Sequence, residues 1–258
     1  MTDEQQSMYE WYVRFYRATA SSKTHAEYCE RVYGRNLCQQ GYTTLKQLDD
    51  LLALAKLNSD SSVLDVGCGN GMIAEYLSDT SGAHVHGIDY AAEAIEQAQA
   101  RTASKRERLS FAAGDMNTVE LPALAYDAII ALDTLYFGDL EALIRRLLGA
   151  LKAGGQLLAF YTLILWNEQD DRQTLLPERT PLGEVLTKLG CNFQTWDYAR
   201  AEYERSQVSL AVAAELKAAF EAEGHLFLWE NRQQEGEGSV RFYEQGRFSR
   251  YLYQVRVP

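Results

Sequence analysis

Several things are missing from this 258-residue chain, and each absence narrows its chemistry. No apolar run approaches the ~20 residues that a membrane-crossing helix needs, so no membrane partner is expected. The opening Met1-Thr2-Asp3-Glu4-Gln5-Gln6 is acidic and polar, whereas a secretory leader is basic and then apolar. The four cysteines, Cys29, Cys38, Cys68 and Cys191, form no C-x-x-C pair and have no matched histidine spacing. That argues against a zinc site, and no metal is expected. Scattered single cysteines without a leader fit a reducing compartment, so a cytoplasmic location is expected. Basic charge is also scarce: 25 Lys and Arg stand against 36 Asp and Glu, a net charge of −11. Proteins that track phosphate backbones carry a basic stripe. The densest candidate, Lys105-Arg106-Glu107-Arg108, reads as a solvated turn, so no nucleic-acid partner is expected. There is no internal repeat, no low-complexity tract and no obvious catalytic dyad.

What is present centres on residues 63–71, Val-Leu-Asp-Val-Gly-Cys-Gly-Asn-Gly. An apolar run (Val63, Leu64, Val66) ends in glycines at every second position, and an amphipathic stretch follows with Met72, Ile73, Tyr76 and Leu77. This predicts a strand, a tight turn and a helix. Glycine lets a ligand lie against bare backbone, and the helix N-terminus offers free N–H groups. The dinucleotide fingerprint G-x-G-x-x-G is broken: Gly67 and Gly69 fit, Met72 holds the third position, and Gly71 falls one residue early. An acid, Asp65, precedes the first glycine and suits an ammonium better than a diphosphate. A second acid, Asp89, closes the next strand, where a carboxylate grips ribose hydroxyls. A nucleoside with an amino-acid tail satisfies these features together.

Elsewhere the chain divides into an N-terminal helical cap (1–57), a core (58–198 and 247–258) and an insertion (199–246). The cap carries one apolar helix face through Met8, Trp11, Tyr12, Phe15, Tyr16 and Thr19. Thr24 with Glu27, and Thr44 with Gln47, read as capping boxes. From 60 to 162 strands near 62–66, 84–88, 109–113, 126–132 and 156–161 alternate with helices near 71–79, 91–102 and 139–151. Alternating units of this kind imply a parallel sheet with ligands beyond its carboxyl edge. Thr180-Pro181 starts a helix, Cys191–Tyr198 alternates like a strand, and 199–223 reads as a helix. His225–Trp229 reads as a short strand and Gln233–Ser239 as a mobile loop. Arg250–Val257 is the last strand.

Three further segments keep this order: Phe111-Ala-Ala-Gly-Asp115-Met116, Tyr126–Asp133, and Leu151-Lys-Ala-Gly-Gly-Gln156. With residues 63–71 and 84–89 they resemble the motifs of class I S-adenosylmethionine-dependent methyltransferases over about residues 60–162. Ala153 stands where those enzymes usually have proline. The resemblance implies a Rossmann-like, doubly wound α/β fold. Its seven-stranded sheet is mostly parallel, with an antiparallel last strand. It implies S-adenosylmethionine as cofactor and S-adenosylhomocysteine as product. Asp65 and the turn Gly67, Cys68, Gly69 and Gly71 would hold the methionine end, with Cys68 acting through its backbone. Asp89 would take the ribose, Tyr90, Asp115 and Met116 the adenine, and Leu132 would end the strand beneath the methyl.

For the acceptor, the resemblance points to the loop after the fourth strand. There Asp133 either holds or deprotonates an amine or merely caps the next turn, and Tyr136 orients it. Tyr161 and Trp166 are candidate pocket walls. Six of the sixteen tyrosines lie upstream of the first strand; Tyr12 and Tyr16 are candidates for an aromatic lid that attracts a cation. Of the histidines, His25 is the better candidate base. The expected activity is methyl transfer to a small molecule, an amine or secondary metabolite, by a monomer or homodimer. The rival readings are an RNA or protein methyltransferase, a non-catalytic binder of the cofactor, and a nicotinamide oxidoreductase.

Overall fold

Apolar runs alternate with amphipathic stretches through the middle of the chain, and strands alternate with helices accordingly. The computed structural model describes residues 3–258; the leader-free reading of Met1 and Thr2 lies outside them. Helices α1 (Asp3–Thr19), α2 (Lys23–Tyr33) and α3 (Leu45–Ala55) precede β1 (Ser62–Val66). Then come α4 (Met72–Ser81), β2 (His84–Asp89), α5 (Ala92–Arg101), β3 (Leu109–Ala113), β4 (Tyr126–Leu132), α6 (Leu140–Ala150) and β5 (Leu151–Ile164). Helix α7 (Pro181–Lys188), β6 (Phe193–Asp197), α8 (Ala199–Ala222), α9 (Leu226–Glu244) and β7 (Phe248–Arg256) complete the chain.

The strands form one sheet in the order β3-β2-β1-β4-β5-β7-β6. Strands β1 to β5 run parallel, and β7 slots antiparallel between β5 and β6. Two-residue alternation splits the sheet's side chains. Leu64, Val66, Ile129, Ala159 and Tyr161 pack toward α6 and α7, while Val63, Ile130, Leu158 and Phe160 pack toward α3, α4 and α5. A third cluster lies off the sheet, where Phe15, Tyr28 and Val32 meet Val212, Phe220 and Leu228. It joins the N-terminal helices to the α8–α9 hairpin. Among the described residues no helix is long and apolar enough to cross a membrane.

Local signals set several boundaries as expected. Thr44 and Gln47 form the full capping box of α3, Asp139 caps α6, and Thr180 caps α7 with Pro181 in its first turn. Other readings need correction. Helix α2 is capped by Ser22, whose hydroxyl accepts the His25 N–H at 2.9 Å. Thr24 instead gives its backbone N–H to Glu223. His225–Trp229 is not a strand and Gln233–Ser239 is not a loop, because both stretches fall at or within α9. The glycine there serves packing: a Cβ on Gly236 would press on Leu210 of α8 at 2.9 Å. Close approach of two helices outweighs the ordinary helix penalty of glycine, about 1 kcal/mol.

Candidate functional site

Strand β1 leads to one side of the sheet and β4 to the other, so a crevice opens beyond their carboxyl ends, the place where such sheets bind ligands. The chain turns there on Gly67, Gly69 and Gly71, with φ of 71°, 55° and 74°, which disfavours any other residue. Each glycine also answers to a different neighbour. A Cβ on Gly67 would strike the Thr134 methyl, and one on Gly69 the Tyr16 hydroxyl. One on Gly71 would lie 2.5 Å from Phe111 and 2.9 Å from Ala98. Gly71 is therefore a packing residue that seats α4 against the sheet and α5, and it does not line the crevice. This corrects its reading as a cofactor contact. It does the work of the missing third glycine from one position earlier.

Two carboxylates flank the turn. Asp89, 8% exposed, accepts the Gly69 N–H at 2.8 Å on Oδ2 and the Ala91 N–H at 2.9 Å on Oδ1. Burial raises its pKa, and these backbone donors pull against the rise. Asp65 is only 2% exposed, and its Oδ2 has no hydrogen-bond partner. Burial, with a smaller contribution from the Asp89 charge, pushes its carboxyl up to about 7. Such an unpaired oxygen is costly unless something donates to it.

Both acids face a cavity of about 270 Å³. The same wall carries Gly67, Cys68, Gly69, Tyr90, Met116 and Leu132, together with Asn70 and Ile73, which the sequence did not single out. Tyr12 and Tyr16 of α1 close it from above, with the loop Leu37–Thr43 and Glu235 of α9. Tyr12 and Tyr90 meet edge to face at 5.8 Å. Burial, ahead of the nearby carboxylates, raises the phenols of Tyr12 and Tyr16, so both stay protonated.

Four predicted residues stand apart from this cavity's lining: Gly71, Asp115, Tyr161 and Trp166. Asp115 is exposed, and its Oδ1 accepts both the backbone and side-chain N–H of Asn117, at 2.8 and 2.9 Å, which holds the turn after β3. Strand alternation sends Tyr161 to the α6 face, where its ring backs Tyr136 at 5.0 Å. Trp166 is 70% exposed and meets Phe242 of α9 edge-on, because β5 runs on to Ile164 and carries it past the mouth. His25 is not at the cavity either. It is buried beside Arg232, and burial first, then that guanidinium, holds its pKa well below the usual value.

Asp133 does line the cavity, in a left-handed conformation with φ 55°, but neither expected role describes it. Both of its oxygens pair with the Arg250 guanidinium, one at 3.0 Å. It also accepts from the Tyr42 N–H at 3.2 Å and from the Thr43 and Thr162 hydroxyls at 3.4 Å. A carboxylate so fully engaged is a structural anchor between β4, β7 and the cap loop rather than a free base or a turn cap. Tyr136 lines the cavity next to it, and its hydroxyl accepts the Thr162 N–H at 2.7 Å. The residue is 41% exposed as a whole, while its hydroxyl end, packed against Thr162 and near the Asp133 charge, is held in the protonated form.

Arg250, Glu235, Gln40 and Thr43, like Asn70 and Ile73, are residues that sequence reasoning did not place at the site. Arg250 had one signal, a cation that opens the alternating run of the last strand. Glu235 had none, since its tract reads as a loop.

A model described as "Methyltransferase domain" matches residues 63–155. Phosphoethanolamine N-methyltransferase 1 of Triticum aestivum is 34% identical over 131 residues, 50% of this chain and 26% of that protein. Phosphoethanolamine N-methyltransferase of Plasmodium falciparum is 33% identical over 112 residues, 43% of this chain and 41% of that protein. The matches thus span well under half the length of these relatives. In structure the chain is similar to Haemonchus contortus phosphoethanolamine N-methyltransferase 2, solved with phosphomonomethylethanolamine and S-adenosylhomocysteine. The TM-score is 0.74 at 17% identity, over 96% of this chain and 60% of that one. The chain therefore carries, over residues 63–155, a segment that matches a methyltransferase domain, set in the Rossmann-like fold that it shares with its structural neighbours.

Proposed function

We propose that the protein transfers a methyl group from S-adenosylmethionine to a small-molecule acceptor. The observation that carries this reading is the pair of buried carboxylates on either side of the glycine turn, one with an oxygen that has no partner. Asp65 would take the ammonium of the cofactor's amino-acid tail; the N–H groups of Gly67, Cys68 and Gly69 are committed to Ile88 and Asp89, so the turn offers the tail close backbone approach rather than donors. Asp89 would accept from the ribose hydroxyls with the lone pairs its two backbone donors leave free. Tyr90 and Met116 would frame the base. When bound, the cofactor supplies an electrophilic methyl on sulfur and a neutral thioether as leaving group.

The chain's own residues then have two tasks. One is alignment, which can contribute ~7–11 kcal/mol without any proton transfer. Tyr136, held by Thr162, and Leu132 fix the floor, and Tyr12 and Tyr16 fix the roof. The other task is excluding water, which falls to the cap loop and α9. The closed roof supports a small acceptor over a nucleic acid or protein, and the acidic surface supports the same choice. Because roof and floor come from one chain, a monomer suffices for the site. Three buried free thiols support a reducing, cytoplasmic setting.

Calorimetric titration with S-adenosylhomocysteine tests the cofactor assignment. Asp89→Ala should weaken binding by about 100- to 20,000-fold, the loss of two hydrogen bonds to a charged group, with an unchanged circular dichroism spectrum. An unaltered Kd would reject the site. Release of S-adenosylhomocysteine across an amine panel tests turnover.

A further inference from the structure

The acceptor end of the cavity has a charge pattern of its own. Its lining includes Asp133 and Glu235 and contains no lysine, arginine or histidine. Cations lie close behind, but outside the lining, and each is paired through its guanidinium, while the Nε of Arg232 and of Arg250 is buried without a partner. Arg250 is spent on Asp133, Thr162 and Thr43, and Arg232 on Glu235 at 3.0 Å and the Gln39 carbonyl at 2.6 Å. Arg205 is held by both oxygens of Glu202. The guanidiniums of Arg205 and Arg250 each stack at 5.5 Å on Tyr42, so an aromatic ring lies against them. A ligand therefore meets carboxylates and rings first.

The unpaired groups on the cavity wall include two acceptors, Asp65 Oδ2 and Gln40 Oε1, beside the Tyr90 hydroxyl. Gln40 Nε2 points to Glu235 Oε1 at 3.4 Å, which orients the amide and leaves Gln40 Oε1 buried without a partner. Like Asp65 Oδ2, it is an acceptor waiting for a donor. A phosphate ester brings only acceptors and negative charge, whereas an ammonium or amine brings donors. Burial, ahead of the opposing charges of Arg232 and Arg205, raises the Glu235 carboxyl, so its charged form gains from a further donor.

Building on the methyltransferase reading, we propose that the acceptor is an amine without a phosphate or other anionic group, recognised at its cationic end by Glu235 and Gln40 between the rings of Tyr12 and Tyr42. This chain would then differ in acceptor from the phosphoethanolamine enzymes it resembles.

The test uses protein saturated with S-adenosylhomocysteine, with saturation verified by its own thermal shift. Failure at that step would count against the cofactor site and not against this proposal. Ethanolamine, 2-phenylethylamine and tyramine are then titrated against phosphoethanolamine and inorganic phosphate. At least one amine should bind tenfold or more tightly than either phosphate. Glu235→Gln should cut that preference about tenfold or more. Gln40→Lys, which places a cation in the lining without breaking the Arg232 pair, should shift the preference toward phosphoethanolamine. Tighter binding of phosphoethanolamine, equal or absent binding of all five probes, or a preference unmoved by both substitutions would overturn the proposal.

Discussion

Asp65 is the residue with most to gain from a ligand. Its carboxyl titrates near 7 in the folded protein against an ordinary value of 3.8. A raised carboxyl favours folding below the ordinary value and loses that contribution as pH climbs through the folded one. Between about pH 4 and 7 the ligand-free protein should therefore lose roughly 4 kcal/mol from this group alone. An ammonium docked against Asp65 favours the charged form, so cofactor binding at pH 6 should expel close to one proton. Calorimetry in phosphate and imidazole at that pH reads this as a buffer-dependent heat, and Asp65→Asn should abolish the dependence while lowering affinity. Both acids were legible from the sequence, because a strand's end and the residue that closes it follow from the apolar run itself. Arg250 and Glu235 were not, since each acts through a partner far away in the chain: Asp133 lies 117 residues before Arg250, and Gln40 lies 195 before Glu235.

At the scale of elements, boundaries with a side-chain cap were readable and boundaries set by packing were not. Thr44→Ala should cost about 1 kcal/mol in urea denaturation, because it removes a cap whose both halves are present. Helix α9 shows the other case. Its polar, glycine-bearing tract lacks an apolar face wide enough to mark it, yet Gly236 allows the approach to α8, and Arg232 ties the helix to the cap loop through the Gln39 and Gln40 carbonyls. Arg232→Met should cost about 3–5 kcal/mol, since it strands the Glu235 charge and two carbonyls in a dry interior. Affinity for S-adenosylhomocysteine should fall with it as the loop loosens. A variant with wild-type Tm and affinity would show that the loop stands without this tie. The alternation of Tyr161 away from the cavity belongs here too: the strand was read correctly, but not which of its faces the site would use.

For the whole molecule, the parallel run of five strands followed from alternation and the antiparallel last strand from resemblance, whereas the order of the strands in the sheet is seen only in the structure. How the N-terminal helices meet the α8–α9 hairpin did not, because nothing local records a contact between the two ends of a chain. That third cluster makes roof and core one cooperative body. S-adenosylhomocysteine at 100 times its Kd should then raise the unfolding free energy by about 2.7 kcal/mol. Amide exchange in α1 and α9 should slow by the same factor as in β1 and β4; protection confined to the sheet would show the roof opening separately. The tie from Arg232 to the Gln39 carbonyl spans 193 residues. During synthesis the glycine turn, both acids and the floor exist long before α9 has left the ribosome, so the newborn chain carries an unroofed crevice. The roof is therefore among the last parts of the chamber to be made, and the crevice closes only when the chain is nearly complete.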